Sequence, residues 1–185
     1  ACLQTSIDRA KIERCRVLCE EALETTLKDA DARGLDRTGL KTKEIVSRQA
    51  LRFDLVRGIA DTEPFSALAK GGPWCAAIRQ ALGVDMKLIK SGCVVAMPGC
   101  PRQPVHPDGK HLFEEGDHLP PHCITVFVPL IDMSEQLGPT EFYPGTHRRD
   151  CPPQDYKACE TGDCGGVAFT SAKAGDAVMF DYRVL

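Results

Sequence analysis

Long apolar runs, a basic excess, paired cysteine knuckles and clustered histidines are all missing from this 185-residue chain. Each absence removes a class of function. No window approaches the roughly 18 uninterrupted apolar residues that a membrane-spanning helix requires. Lys and Arg total 23 against 26 Asp and Glu, for a formal net charge of -3. The basic residues are scattered, so the positive surface of a nucleic-acid binder is not expected. No positively charged start leads into an apolar stretch, so no secretory signal is visible. The chain begins at Ala1 rather than Met, which leaves targeting unassessed and a cytoplasmic location as the default. No repeat or low-complexity tract is present, and nothing sets an oligomeric state. With 43% apolar and 26% charged residues, the composition is that of an ordinary globular protein. The length suits one domain of residues 1–185.

Cysteine, by contrast, is abundant, with ten in all. The reading favoured is reduced thiols in an intracellular protein, several of them packed as small hydrophobes. Two alternatives stay open. The even number permits a disulfide set, although the chain is larger than the usual stapled mini-domain. Cys151, Cys159 and Cys164 could bind zinc, but their C-x7-C-x4-C spacing lacks the C-x2-C pairs of a strong zinc signature.

Hydrophobic spacing predicts an amphipathic helix over about Ile7 to Arg33, where Ile12, Cys15, Cys19, Ala22, Leu23 and Leu27 recur at three- and four-residue steps. Ser6 and Asp8 offer a start and Gly34 a stop. A short strand is expected at Ala50 to Phe53. Helices follow from Glu63-Pro64 toward Lys70 and from Trp74 to Leu82, the first broken by Gly71-Gly72-Pro73 and the second stopped at Gly83. From residue 86 the pattern turns to strands: Met86 to Met97, Ile124 to Ile131, Thr140 to Tyr143 and Ala177 to Leu185, separated by Gly and Pro turns. Helices first and strands after give an α+β, mostly β layout, with residues 1–85 a mainly helical flank and 86–185 the sheet core. The last strand ends without a turn, cap or polar tail, so a continuation beyond Leu185 is expected.

His106-Pro107-Asp108 is the segment that can carry chemistry. In an extended stretch, residues i and i+2 project to one face, so an imidazole and a carboxylate can meet one ion. Iron(II) in oxygenases is commonly held by two His and one carboxylate on a single face, with the other positions open. Taken alone the signal is weak: five His and 26 acidic residues give about 0.7 such matches by chance.

The order of motifs around it is far more specific. H-x-D at His106 is followed by VPLIDMSEQLGPTEFYPGTH from Val128 to His147, and then by GDAVMFDYRVL from Gly175 to Leu185. Together they resemble the phytanoyl-CoA dioxygenase family over about Ser91 to Leu185. The resemblance implies a double-stranded β-helix, the cupin-like jelly-roll barrel, with N-terminal flanking helices and a barrel incomplete at the C-terminus of this chain. It implies an enzyme, an Fe(II)- and 2-oxoglutarate-dependent dioxygenase that uses O2 to hydroxylate a small organic or lipid-like substrate. His106 and Asp108 match the first two metal ligands. A second His is expected directly after the strand matched by Phe180 to Leu185, with a 2-oxoglutarate-binding Arg about ten residues beyond, and neither is present. Phe127 occupies a position where relatives often place an aromatic beside the co-substrate, and Gln103 lies on the approach to the metal. A packed barrel residue and a loop amide are the competing readings of these two.

The other histidines read as structural. His147 belongs to the family's P-G-T-H turn without being a metal ligand there. His118 and His122 would chelate on a helix, but Pro120 and Pro121 forbid that helix. His111 reads as a loop residue near the site mouth. Two rival functions remain: a non-catalytic barrel of the same family that binds a ligand or partner, and a cupin-type isomerase, which fold alone does not establish. Without the second His and the Arg, these 185 residues alone are expected to show little turnover.

Overall fold

Helix α1 runs over Arg9–Ala32 and displays the expected stripe, with Ile12, Cys15, Cys19, Leu23, Leu27 and Ala30 buried. The Asp8 side chain caps it by accepting a hydrogen bond from Ala10 N, satisfying one of the amides left free in the first turn. Gly34, at φ 65°, supplies the left-handed step that lets the chain leave the helix. The computed structural model describes residues 2–5, 7–55, 61–149, 168–169 and 171–185. These form two compact units.

One unit comprises Asp8–Cys75 and Lys87–Arg102. It packs α1 against an antiparallel three-stranded sheet in the order β2 (Ile45–Gln49), β3 (Arg52–Leu55) and β4 (Cys93–Ala96). Phe53 and Leu55 are buried at 1% and 2% exposure, and they alternate with half-buried Arg52 and Asp54, as a strand with one face on a core must. The strand expected at Ala50 to Phe53 is corrected to a hairpin. Ala50 and Leu51 form the tight turn, with Leu51 at φ 62°, and strands flank them on both sides. The apolar signal of Ala50-Leu51 came from the turn itself. Helix α2 (Phe65–Gly71) belongs to the same unit.

The other unit comprises Ala1–Ile7, Ala76–Met86 and Gln103–Leu185. It contains most of helix α3 (Cys75–Leu82) and a three-stranded antiparallel sheet in the order β1 (Cys2–Leu3), β8 (Ala177–Asp181) and β5 (Ile124–Phe127). A two-stranded ladder pairs β6 (Glu141–Phe142) with β7 (Ala168–Phe169). Among the described residues the sheets are small and no barrel closes. All four strands expected after residue 86 are shorter than predicted, the Thr140–Tyr143 one being confined to β6. The Met86–Met97 run is a strand only over β4. The Ile124–Ile131 strand stops at Phe127, just before Val128-Pro129; Pro129 has no N–H to continue a ladder. The Ala177–Leu185 strand stops at Asp181, because the Asp181 carboxylate accepts from Arg183 N at 3.0 Å and folds the chain into a turn closed by Val184 N donating to Asp181 O at 3.0 Å. A short polar side chain competing with the ladder for backbone donors ends a strand in this way.

Candidate metal centre

The sheet of β5 and β8 presents two chemically different faces. In its register Thr125 lies opposite Phe180 and Phe127 opposite Val178, while Ile124 faces Asp181 and Val126 faces Met179. Directly opposed residues share a face. Thr125, Phe127, Val178 and Phe180 therefore stand on one side. Phe127 and Phe180 meet edge-on with ring centroids 5.0 Å apart, and Phe142 of β6 packs on Phe180 at 4.7 Å. The opposite side, with Ile124 and Met179, meets α3 through Ala77, Ile78 and Ala81 across an apolar groove of about 220 Å³.

The H-P-D-G segment lies over the Thr125 side. Along 103–110 exposure alternates strictly, with Gln103, Val105, Pro107 and Gly109 half-buried and Pro104, His106, Asp108 and Lys110 exposed. That alternation is the strand period, and it puts His106 and Asp108 in one phase and Gln103 in the other. Two contacts anchor the inner phase. Val105 packs on the buried pair Tyr143 and Leu185. Gly109 N donates to Tyr182 O at 2.8 Å, and a methyl group added at Gly109 would overlap the Tyr182 ring, so only glycine fits this crossing.

Each candidate ligand is oriented by a neighbour. His106 Nδ1 lies 2.7 Å from Pro104 O. A carbonyl oxygen only accepts, so Nδ1 carries a proton, and in the neutral ring this leaves the lone pair on Nε2, the tautomer a metal needs. Asp108 Oδ2 accepts from Thr125 Oγ1 at 3.2 Å, which ties the carboxylate to the aromatic face. Phe127 stands two residues from Thr125 on that same face and is 36% exposed. These donors fit iron(II) in type, an imidazole nitrogen beside a carboxylate, and they number two. Among the described residues no group of three or more His, Cys, Asp or Glu side chains is arranged to hold a metal ion.

The two motif-bearing sequence blocks, 128–147 and 175–185, act as scaffolding around this segment. Tyr143 N donates to Leu185 O at 2.6 Å and Leu185 N to Thr146 Oγ1 at 2.9 Å. Thr146 Oγ1 donates in turn to Tyr143 O at 2.7 Å. Tyr143 and the P-G-T-H turn after it thus clasp the end of the F-D-Y-R-V-L block, through one backbone bond and one bond to the Thr146 hydroxyl, and hold the Val105 anchor. Arg183, 4% exposed, binds Asp181 through Nε at 2.9 Å and Nη2 at 2.7 Å and donates from Nη1 to Leu119 O at 3.1 Å. Burial pushes the Asp181 carboxyl up, but the Arg183 side-chain and backbone bonds outweigh it and hold the group below its usual range.

Three of the four remaining histidines, His111, His118 and His147, form a row beside this ion pair. His111 and His118 have centroids 6.4 Å apart, and His118 and His147 lie 5.8 Å apart, both edge-on. Arg183 Nη1 approaches His111 Nδ1 at 3.5 Å. Burial, then the charges of Arg149 and Arg183, then His118, hold His111 below its ordinary range against the opposing pull of Asp181. Residues 118–122 contain no helix, so His118 and His122 form no one-turn chelate. Sequence reasoning missed this row of rings and the role of Thr125. Of the two, only Thr125 carried a signal: its in-phase position two residues before Phe127. Cys151, Cys159 and Cys164 lie outside the described residues. The other seven cysteines are free thiols, so the disulfide set is not found among them.

The family model described as phytanoyl-CoA dioxygenase (PhyH) matches residues 9–185. The match takes in the helical first half as well as the motif-bearing second half. No solved structure matches the chain. Among the described residues no helix is long and apolar enough to cross a membrane.

Proposed function

The chain belongs to the phytanoyl-CoA dioxygenase family, whose kind of activity is iron(II)- and 2-oxoglutarate-dependent oxygenation, and from that premise we propose that it serves to hydroxylate a small organic or lipid-like substrate. The observation that supports this reading is the exposed phase of 103–110, which includes both His106, bonded through Nδ1 to Pro104 O, and Asp108, bonded to Thr125. These two side chains would hold the iron, with a third donor supplied from outside the described set. Bound there with 2-oxoglutarate and dioxygen, the metal supplies the oxidising power for C–H hydroxylation.

The chain's own contribution is geometry. Pro104 O fixes the imidazole tautomer, and Thr125 keeps the carboxylate on one side, so that both donors are set before the metal arrives. Phe127, Phe142 and Phe180 form an apolar wall next to Thr125 that keeps water from the reacting groups and suits an apolar substrate. Phe127 is proposed to stand beside the co-substrate. Gln103, out of phase with the ligands, marks the entry to the segment. The sheets β1-β8-β5 and β6-β7 are the parts this reading assigns to the double-stranded β-helix.

Binding of cobalt(II), a stand-in for iron(II) with visible absorption, tests the proposal without requiring turnover. The chain is expected to bind it weakly, and His106→Ala or Asp108→Ala each to lower the affinity at least about tenfold. Equal binding by both variants and the parent chain would remove these residues from the metal site. Turnover of 2-oxoglutarate to succinate by the 185 residues alone is expected to be low, since His106 and Asp108, the two donors assigned here, would retain iron poorly. Robust iron-dependent turnover would overturn that expectation while leaving the family's kind of activity in place.

A further inference from the structure

The stretch 110–119 leaves the H-P-D-G segment without forming a helix or strand, and two arginine side chains hold it in place as a strap. Arg149, two residues after His147, donates from Nη2 to Phe113 O and from Nη1 to Glu114 O at 2.7 Å. Arg183 donates from Nη1 to Leu119 O at 3.1 Å, and the same nitrogen stands 3.5 Å from His111 Nδ1. The strap is thus gripped near its start, at its middle and at its end. Three of these four contacts end on backbone carbonyls, which do not titrate, and a guanidinium stays charged throughout the working pH range. The fourth ends on an imidazole. A guanidinium only donates, so His111 Nδ1 accepts and the ring is neutral, with its proton on Nε2. Protonated on both nitrogens, the ring would have no lone pair to offer, and two cations would face each other at 3.5 Å. Arg183 is 4% exposed, so little water is there to screen them.

We propose that His111 is an acid-sensitive latch: neutral, it keeps the 110–119 strap on Arg183, and protonated, it lets the strap come away while the sheet behind stays folded. The latch goes beyond the oxygenase reading and does not rest on it. The groups around the ring set its direction. Arg183 and Arg149 face it from the scaffold. His118 of the strap stands edge-on at 6.4 Å, with His147 another 5.8 Å along the row. A positive charge on any of these opposes a second proton on His111. Asp181 favours one, but its carboxylate is engaged by Arg183 Nε and Nη2. Lys110, Glu114, Glu115 and Asp117 of the strap, and Arg148 beside Arg149, are exposed, where water and salt screen them. Burial first, and the charges of Arg149 and Arg183 next, hold His111 below its ordinary range. A group held down in the clasped form and ordinary in the released one takes up a proton on release. The clasp is therefore at full strength above about pH 6.5 and weakens as the pH falls below it. Asp181 is also held below its usual range and takes up a proton only below about pH 4, so the latch opens before the ion pair fails.

Limited digestion of the 185-residue chain with proteinase K, with cut sites mapped by mass spectrometry, tests the latch. Leu112 and Phe113 are 59% and 63% exposed, so the grip on the backbone, rather than burial, protects the peptide bonds beside them. Cutting at 112–115 is measured relative to a free peptide of residues 108–119 in the same buffer. It is expected to rise about five- to tenfold from pH 7.5 to pH 5.5, since one proton taken up on release shifts the open population by about tenfold per pH unit. Far-UV circular dichroism should stay constant over that range, and cutting within 124–127 and 177–181 should not rise. His111→Gln, which keeps a neutral acceptor, should remove the rise, whereas His118→Gln and His147→Gln should leave it. His111→Lys, a fixed cation, should be cut fast already at pH 7.5. The pH dependence of the parent chain needs no variant to fold. Equal cutting of the parent at both pH values, or a rise that comes with loss of the circular dichroism signal, would overturn the latch. A rise that survives in His111→Gln, or is removed by His118→Gln, would take it away from His111.

Discussion

Asp181→Asn is the perturbation whose cost can be worked most fully from the structure. The Arg183 side chain is 2% exposed and that of Asp181 16%, so the pair is nearly dry. Two charge-assisted bonds of 2.9 and 2.7 Å join them, with a third of 3.0 Å from Arg183 N. Asn keeps the size and one accepting oxygen but removes the charge, leaving a buried guanidinium whose remaining partners are Leu119 O and His111. Breaking a buried ion pair on one side costs about 3–5 kcal/mol. The residual acceptor and the partly wet rim of Asp181 place this case lower, at about 2–3 kcal/mol. Urea unfolding followed by far-UV circular dichroism is the assay, read as a lower midpoint at unchanged slope. Trp74 fluorescence is the wrong probe, because Trp74 lies in the unit built on α1. Pairing Asp181→Leu with Arg183→Met should cost less than Asp181→Asn alone, since apolar replacement of both partners is often close to neutral. A loss below about 0.5 kcal/mol for Asp181→Asn, the range of an ordinary surface change, would refute the reasoning.

Three further outcomes are expected. Thr125→Val removes the donor to Asp108 at 3.2 Å and should weaken cobalt(II) binding about tenfold with little change in unfolding midpoint; unaltered binding would deny Thr125 its orienting part. Gly109→Ala drives a methyl into the Tyr182 ring and should destabilise by about 1–3 kcal/mol, most of it recovered when Tyr182→Ala is added; a double variant no better than Gly109→Ala would put the strain elsewhere. Stability should also fall with acid, as followed by urea midpoints across pH. His111 is held below its ordinary value in the fold, so the unfolded chain takes the proton first as pH drops below about 6.5. Asp181 is likewise depressed, and its contribution is lost below about pH 4. His111→Gln should flatten the upper part of that slope.

Local sequence was enough to determine what depends on local chemistry. The stripe of α1, its Asp8 cap and the stop at Gly34 follow from side-chain period and backbone freedom, and they stand as expected apart from Ala30, which is buried, and Ala22, which is half-buried. The order of motifs led to the family, and the i and i+2 spacing of His106 and Asp108 put both in one phase of an extended segment. Strand ends were decided by competition that composition does not display. Asp181 diverts the backbone donors that the run to Leu185 would have used, and Leu51 turns where its apolar character suggested a strand. Tertiary structure alone brought the distant parts together. Thr125 reaches Asp108 across seventeen positions and Arg183 reaches His111 across seventy-two. The register of β3 on β4 sets which face Cys93 occupies, the one it shares with Leu55. Such contacts depend on which surfaces the whole chain buries, and a one-residue shift in pairing would turn each of these side chains to the other face.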